Sequence, residues 1–207
     1  MNETKPRYEF RAFTQNLGIV EENMRRLSPI TQYRESLEIY IMSPANDENN
    51  TKLRNELMDI KVLVNREQGL EQWRPRMKGK FPMAAEAIAE QMFPAFGVAT
   101  PALQRDAYTF RQYLEEIIGP HPELSAVNLY KQRYGYEIQG CTAEIAEVYI
   151  NGARIRTACL ESEDRNAVLA AMEDIRLSEF DNVNYLLAIK RVIGMAPLPE
   201  GVFYRAL

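Results

Sequence analysis

Hydrophobic and polar residues alternate with a period of two along much of the chain, which is the pattern of β-strands that bury one face. The first such segment, Arg7 to Phe13, places aromatic residues between charged ones. Asn65 to Gly69 and Asn151-Gly152 have the composition of hairpin turns, so the strands on either side are expected to pair antiparallel. The pattern predicts strands over residues 7–13, 34–42, 51–57, 59–65, 70–78, 126–130, 131–139, 142–149 and 153–161.

Apolar residues recur at helical spacing in two parts of the chain. One part, residues 82–119, is predicted to be a helical insert between two groups of strands, and it ends at Gly119-Pro120-His121-Pro122. The other follows the last strand, where Ser162-Glu163-Asp164 has the chemistry of a helix N-cap. The predicted helices span residues 16–27, 83–92, 106–118, 162–176 and 183–193.

This order of elements predicts a single domain over residues 1–207 of the α+β class. We expect an antiparallel β-barrel that encloses a tunnel, with the helices packed outside; a β-sandwich is the alternative. Hairpin turns between strands argue against a doubly wound parallel sheet. Residues 195–207 are predicted to be a loosely attached C-terminal extension.

Composition and charge exclude several classes of protein. The chain has 207 residues, a net charge of −4 and a pI near 5.3, so we expect no nucleic-acid partner and no anionic membrane. No apolar run approaches the roughly 20 residues that cross a bilayer, and residues 1–6 lack the apolar core of a secretory signal. Cys141 and Cys159 have no paired spacing, which favours a cytoplasmic protein. The single histidine, His121, lies between two prolines, which argues against a histidine-based triad or zinc site.

Charged residues also recur with a period of two, so several strands carry a charged face. Taken singly, each pair is most simply a solvated outer face. If helices cover an apolar outside, however, the charged faces point into the barrel, where so many cations require an anionic ligand. Arginine forks and lysine charges suit phosphate, and we therefore expect a phosphate-rich small molecule as the ligand. The cations assigned to its binding are Arg11, Lys52, Arg54, Lys61, Arg74, Arg76, Lys131 and Arg133.

The order and spacing of these charged strand residues resemble the motifs of the CYTH superfamily, the triphosphate tunnel metalloenzymes. This superfamily includes thiamine triphosphatase, inorganic triphosphatases and class IV adenylate cyclases. Arg7 to Arg11 stands where the family has Glu-x-Glu-x-Lys. Lys52-Leu53-Arg54 matches its basic-x-Arg strand, and Asp59-Ile60-Lys61 its Thr-x-Lys strand. Lys131-Gln132-Arg133 matches its Lys-x-Arg strand, and Asn182 to Tyr185 is similar to the element that begins its last helix.

The resemblance implies a site for Mg²⁺ or Mn²⁺, with carboxylates as ligands and Glu9 and Glu144 in catalytic roles. This half of the pattern is degenerate. Arg7 replaces one glutamate, and either Thr157 and Cys159 or Arg156 and Ala158 stand where Glu-x-Glu is expected. A shift of register by several residues would let Glu161 and Glu163 contribute. The implied metal ligands are Glu9, Glu38, Glu144 and Glu161.

The sequence therefore leaves two main hypotheses open. One is a metal-dependent triphosphatase that acts on a triphosphate or polyphosphate, and the other is a non-catalytic nucleotide- or polyphosphate-binding module. Nucleotide cyclisation is a weaker third. The identity of the organic group, the oligomeric state and the role of the helical insert are not determined by these motifs.

Overall fold

The structure is a computed structural model, and it describes residues 5–198. The predicted C-terminal extension lies mostly outside the described residues, as do residues 1–4 at the N-terminus. Among residues 5–198, every helix is too short or too polar to cross a membrane.

Eight strands close into an antiparallel barrel in the order β1-β10-β9-β8-β2-β3-β4-β5. The predicted α+β barrel with helices packed outside is thus confirmed, with the exception of the last helix, which enters the barrel. The remaining two strands, β6 (Met83–Ala84) and β7 (Ala107–Tyr108), form a separate small sheet within the insert. The barrel strands are β1 (Arg7–Thr14), β2 (Gln32–Met42), β3 (Asn49–Arg54), β4 (Leu57–Glu67), β5 (Leu70–Lys80), β8 (Ser125–Ile138), β9 (Cys141–Ile150) and β10 (Ala153–Ser162).

Helices cover much of the outside of this barrel. Two of them, α1 and α5, pack on an apolar cluster that includes Phe10, Ile145 and Leu160. The insert packs on a second apolar cluster that includes Ile41 and Ile60. The α-helices are α1 (Ile19–Leu27), α2 (Ala85–Ala87), α3 (Phe93–Phe96), α4 (Phe110–Gln112), α5 (Arg165–Ile175) and α6 (Tyr185–Val192); the π-helical turns Ile88–Met92 and Tyr113–Ile118 and the 3₁₀ turn Leu177–Glu179 accompany them. Because the apolar faces are buried outside, the charged faces of the strands point inward.

Helix α6 fills one end of the barrel interior. Its Leu186 and Ile189 pack in a cluster with the strand residues Val127 and Ile150. Lys190, whose side chain is 3% exposed, donates from Nζ to Asp47 Oδ1 (2.7 Å) and to the Pro44 carbonyl (3.3 Å). These two bonds fix the helix to the β2–β3 loop.

Several element boundaries differ from the predictions for identifiable reasons. The two strands predicted over 126–139 are the single strand β8. The helix predicted from residue 16 begins at Ile19, because Gly18 has a positive φ of 46°. Residues 106–118 divide into β7 and α4 with its π-helical turn, separated by the capping box of Thr109.

Candidate functional site

Inward-facing side chains from the strands, together with two residues at the start of α6, line a cavity of about 130 Å³. The lining contains more cationic than acidic side chains, although the whole chain is acidic. Its seven cations are Arg11, Arg34, Lys52, Arg54, Lys61, Lys131 and Arg133, and its five acids are Glu9, Glu38, Asp59, Glu144 and Glu161. This cavity is called the tunnel site below.

Arg11 on β1 is the buried centre of the tunnel site. Its Nε donates to Glu9 Oε1 (2.9 Å), and its Nη1 donates to Glu144 Oε1 (3.1 Å) and Thr157 Oγ1 (3.3 Å). The guanidinium also lies over the Tyr185 ring, 4.7 Å from its centroid, which is a cation–π geometry. Arg11 therefore joins three strands and α6 through one planar group.

Glu144 on β9 collects three positive charges. Lys131 Nζ lies 2.9 Å from its Oε1, and Arg133 Nε lies 2.7 Å from its Oε2. Burial alone raises the pKa of Glu144, but the charges of Lys131, Arg11 and Arg133 outweigh it and hold that pKa well below the usual range. Glu144 is consequently ionised, and its contacts order the cations around it.

Glu38 forms a separate cluster with the cations of β3. Arg54 Nη1 lies 3.2 Å from its Oε1, and Lys52 Nζ lies 3.8 Å from its Oε2. Burial by itself would raise the pKa of Glu38. The charges of Lys52, Lys131 and Arg54 outweigh this effect, so the pKa lies below its ordinary value. For Lys52, burial is the largest effect and leaves its pKa below the ordinary value.

Glu161 lies in the tunnel site directly opposite Glu9 across the β1–β10 pair. Its Oε1 is 3.6 Å from Arg7 Nη1 and 4.0 Å from Lys61 Nζ. The charges of Arg11 and Lys61 offset the effect of burial on Glu9, so that its pKa is lowered. Two like charges directly opposite on neighbouring strands repel each other unless cations lie near them.

The four carboxylates implied as metal ligands do not form one group. Glu38 belongs to the cluster on β3, and Arg11 bonds to both Glu9 and Glu144. Among residues 5–198, no group of three or more histidine, cysteine, aspartate or glutamate side chains is arranged to hold a metal ion. Of these four, Glu9 and Glu161 are directly opposite each other on neighbouring strands and are called the acidic pair below. Glu71 lies opposite Glu9 on its other side but does not line the cavity.

The structure does not place Arg74 and Arg76 in the tunnel site, which corrects the prediction for these two residues. Both are exposed, and it is Trp73 that contributes to the lining from this strand. The β4–β5 register shifts between Ile60 and Lys61 and again between Leu63 and Asn65. Alternation alone gives two faces of a strand and cannot say which of them points inward.

Sequence reasoning missed several lining residues. Arg34 is on the same face of β2 as Ser36 and Glu38, so the period-two rule could have found it. Asn184 and Tyr185 line the site from α6, and only the position of that helix inside the barrel brings them there. Asp59 was noted in the sequence as part of a motif and not as a site residue.

The lowered pKa values predict that acid destabilises the protein. A carboxylate whose pKa is lower folded than unfolded stabilises the fold above its unfolded value, and that stability is lost as pH falls. For Glu9, Glu38 and Glu144 the ordinary value is 4.5, so we expect the free energy of unfolding to fall progressively below about pH 4.5. Urea unfolding between pH 7 and pH 3 measures this loss. If the unfolding free energy of Glu144→Gln falls with pH as steeply as that of the wild type, Glu144 does not contribute to the acid destabilisation.

No protein-family model and no curated protein matches the chain. Solved structures do resemble it. One is HpAC1 from Hippeastrum, a candidate adenylyl cyclase with a dominant triphosphatase activity, at 10% identity and a TM-score of 0.53, covering 93% of this chain and 98% of that one. Another is a conserved hypothetical protein from Pyrococcus furiosus, at 12% identity and a TM-score of 0.50, covering 87% and 98%. The comparisons confirm the tunnel fold that the CYTH resemblance predicted.

Proposed function

We propose that this protein binds a triphosphate-containing or polyphosphate ligand in the tunnel site and hydrolyses one of its phosphoanhydride bonds. The fold is shared with a protein that has triphosphatase activity, which supports the proposal at the level of fold. The chemistry of the lining supports it further, because arginine and lysine side chains are the ordinary protein ligands of phosphate. A cytoplasmic location fits the two free cysteines and is part of the proposal.

The observation that carries the proposal is the pair of arginines on β2 and β8. Arg34 and Arg133 are directly opposite each other in the β2–β8 register, and both line the tunnel site. Like charges in this position destabilise a sheet. Arg133 has Glu144 as a partner, whereas Arg34 has no carboxylate within 4 Å among residues 5–198. An anion that bridges the two guanidinium groups would relieve this repulsion.

The acidic pair fits a divalent cation that is shared with a phosphate ligand. Mg²⁺ is often held by one or two carboxylates together with substrate phosphates, and Glu9 and Glu161 supply two carboxylates on facing strands. Glu9 and Glu161 do not fit a site in which protein side chains alone coordinate the cation, because no third candidate ligand joins them among residues 5–198. When bound, Mg²⁺ or Mn²⁺ would neutralise charge on the phosphate oxygens.

The remaining residues have roles in binding that follow from their contacts. Lys131 and Arg133 lie beside Glu144, where they present positive charge to the tunnel site. Lys52 and Arg54 do the same beside Glu38. Lys61 lies near Glu161 of the acidic pair. Glu144 is unsuited to accept a proton because three cations hold its pKa low. We assign it the role of holding Arg11, Lys131 and Arg133 while no phosphate is bound, so that a ligand has to displace it from them.

Turnover is tested by phosphate release from tripolyphosphate and ATP with Mg²⁺ or Mn²⁺. We expect metal-dependent release that falls by about 100-fold or more in Glu9→Gln, because a ligand of the shared cation is lost. Glu173→Gln is the matched control, since Glu173 is exposed on α5 and should leave the rate unchanged. A wild-type protein that binds both compounds and is inert with either metal would refute hydrolysis.

That outcome would favour the second candidate function, a binding module without turnover. A specific observation supports this alternative. Glu9, Glu38, Glu144 and Glu161 each have a protein cation within 4.0 Å, so the site satisfies its carboxylates without a metal. Such a module would bind tripolyphosphate without Mg²⁺ and would release no phosphate from it when Mg²⁺ or Mn²⁺ is added.

A further inference from the structure

The chain between the 3₁₀ turn and α6 makes a set of bonds to β1 that centre on Asn182. Asn182 Oδ1 accepts a hydrogen bond from the backbone N–H of Arg11 (3.0 Å), across 171 residues of sequence. Its Nδ2 donates to the carbonyl of Gly69 (2.8 Å) and to that of Glu9 (3.4 Å). The next residue, Val183, donates from its backbone N–H to the Arg11 carbonyl (2.7 Å).

These bonds replace a missing strand partner. On one side β1 pairs with β10 from Tyr8 to Thr14, but on the other it pairs with β5 only from Arg7 to Glu9. Beyond Glu9 the second edge of β1 would have unpaired backbone groups, which are costly when buried. Asn182 and Val183 occupy that edge at Arg11, where the structure places the most connected cation of the tunnel site.

The same segment also contacts the Arg11 side chain. Tyr185, three residues after Asn182, places its ring under the Arg11 guanidinium and 5.2 Å from Lys131 Nζ. Between them, Asn184 caps α6 by accepting from the Leu187 N–H (2.9 Å). The backbone of Arg11 and its guanidinium are therefore positioned by one short stretch of chain.

We propose that Asn182 is a positioning residue that sets the backbone of Glu9 and Arg11 and so the geometry of the phosphate-binding group. The inference rests on the proposed function. Asn182 does not line the cavity, so it acts through β1 and not by touching the ligand. A binding group has to be held in its productive geometry by the hydrogen bonds around it, so the loss of such bonds lowers affinity.

A purely structural role predicts a different result, and a matched control separates the two. Ser28 is 6% exposed and also bridges distant parts of the chain, since its Oγ accepts from the Glu137 N–H (3.1 Å) and donates to the Pro29 carbonyl (3.0 Å). It lies outside the tunnel site. Ser28→Ala should lower the unfolding midpoint in urea and leave tripolyphosphate affinity unchanged.

The experiment is calorimetric titration of tripolyphosphate into the wild type, Asn182→Ala, Asn182→Asp and Ser28→Ala, with urea unfolding of each. We expect Kd to rise about tenfold or more in Asn182→Ala and to rise also in Asn182→Asp, which keeps the acceptor for the Arg11 N–H but places a carboxylate oxygen against the Gly69 and Glu9 carbonyls. Should Asn182→Ala fail to fold, Asn182→Asp provides the comparison.

An Asn182→Ala protein that is destabilised like Ser28→Ala but binds as tightly as the wild type would overturn the positioning role. If Asn182→Ala does not fold, wild-type affinity in Asn182→Asp would overturn it as well. Failure of the wild type to bind tripolyphosphate would instead refute the proposed function, and this inference with it. The two failures are distinguishable because only the second involves the unaltered protein.

Discussion

Arg11→Met should both destabilise the protein and abolish strong phosphate binding. The change removes the group that bonds to Glu9, Glu144 and Thr157, and it leaves the half-buried Glu9 without its nearest cation and the buried Glu144 without one of its three. Removing one partner of a buried ion pair costs about 3–5 kcal/mol of unfolding free energy. We expect tripolyphosphate affinity to fall by about 100-fold, because a buried charge that faces the ligand is lost. Urea unfolding and calorimetric titration measure the two effects.

Arg76→Met is the control for this experiment. Arg76 is exposed on β5, and its Nη1 donates only to Asn49 Oδ1 (3.3 Å) among residues 5–198. Its replacement should change the unfolding free energy by no more than about 0.5 kcal/mol and leave affinity intact. An Arg11→Met protein as stable as Arg76→Met would show that the network around Arg11 contributes nothing to the fold.

Glu144→Gln should have opposite effects on stability and on binding. The substitution leaves Lys131, Arg133 and Arg11 around a neutral amide, which we expect to cost about 3 kcal/mol of unfolding free energy. It also removes one negative charge from the tunnel site and frees Lys131 and Arg133 for the ligand, while Arg11 stays bonded to Glu9. Affinity for tripolyphosphate without metal should therefore rise, by about tenfold at low salt.

The matched control is Glu147→Gln on the same strand, because Glu147 does not line the tunnel site and pairs with Arg154. It should leave tripolyphosphate affinity unchanged. Weaker binding in Glu144→Gln, measured by titration at 50 mM and 300 mM salt, would mean that ordering of the cations matters more than their number. Binding that weakened equally in both variants would argue for a ligand site elsewhere.

The sequence predicted much of the fold and most of the cationic half of the site. Alternation along strands depends only on backbone geometry, so it correctly grouped Lys52 with Arg54 and Lys131 with Arg133 on inward faces. The same rule placed Arg74 and Arg76 inside, although Trp73 is the residue that lines the cavity from that part of β5. Which face points inward depends on register and on the helices outside, and neither is local.

The carboxylates of the tunnel site show a second limit of prediction from sequence. The sequence analysis admits Glu161 to the metal site only if the register of the motif is shifted. Simple alternation along β10 already places it on the same strand face as Thr157 and Cys159. Motif spacing had directed attention to those two residues. Contacts such as that between Asn182 and β1 join residues more than 170 positions apart, and no pattern within either segment indicates them.

The central claim, that the inward cations bind a phosphate-rich ligand, is tested most directly by one titration. Tripolyphosphate is titrated without metal into the wild type, Arg34→Ala, Arg133→Ala and the exposed-site control Arg74→Ala. We expect saturable binding that weakens by about tenfold or more in the Arg34 and Arg133 variants and is unchanged in Arg74→Ala. Equal affinity in all four proteins, or no binding to the wild type, would contradict the account.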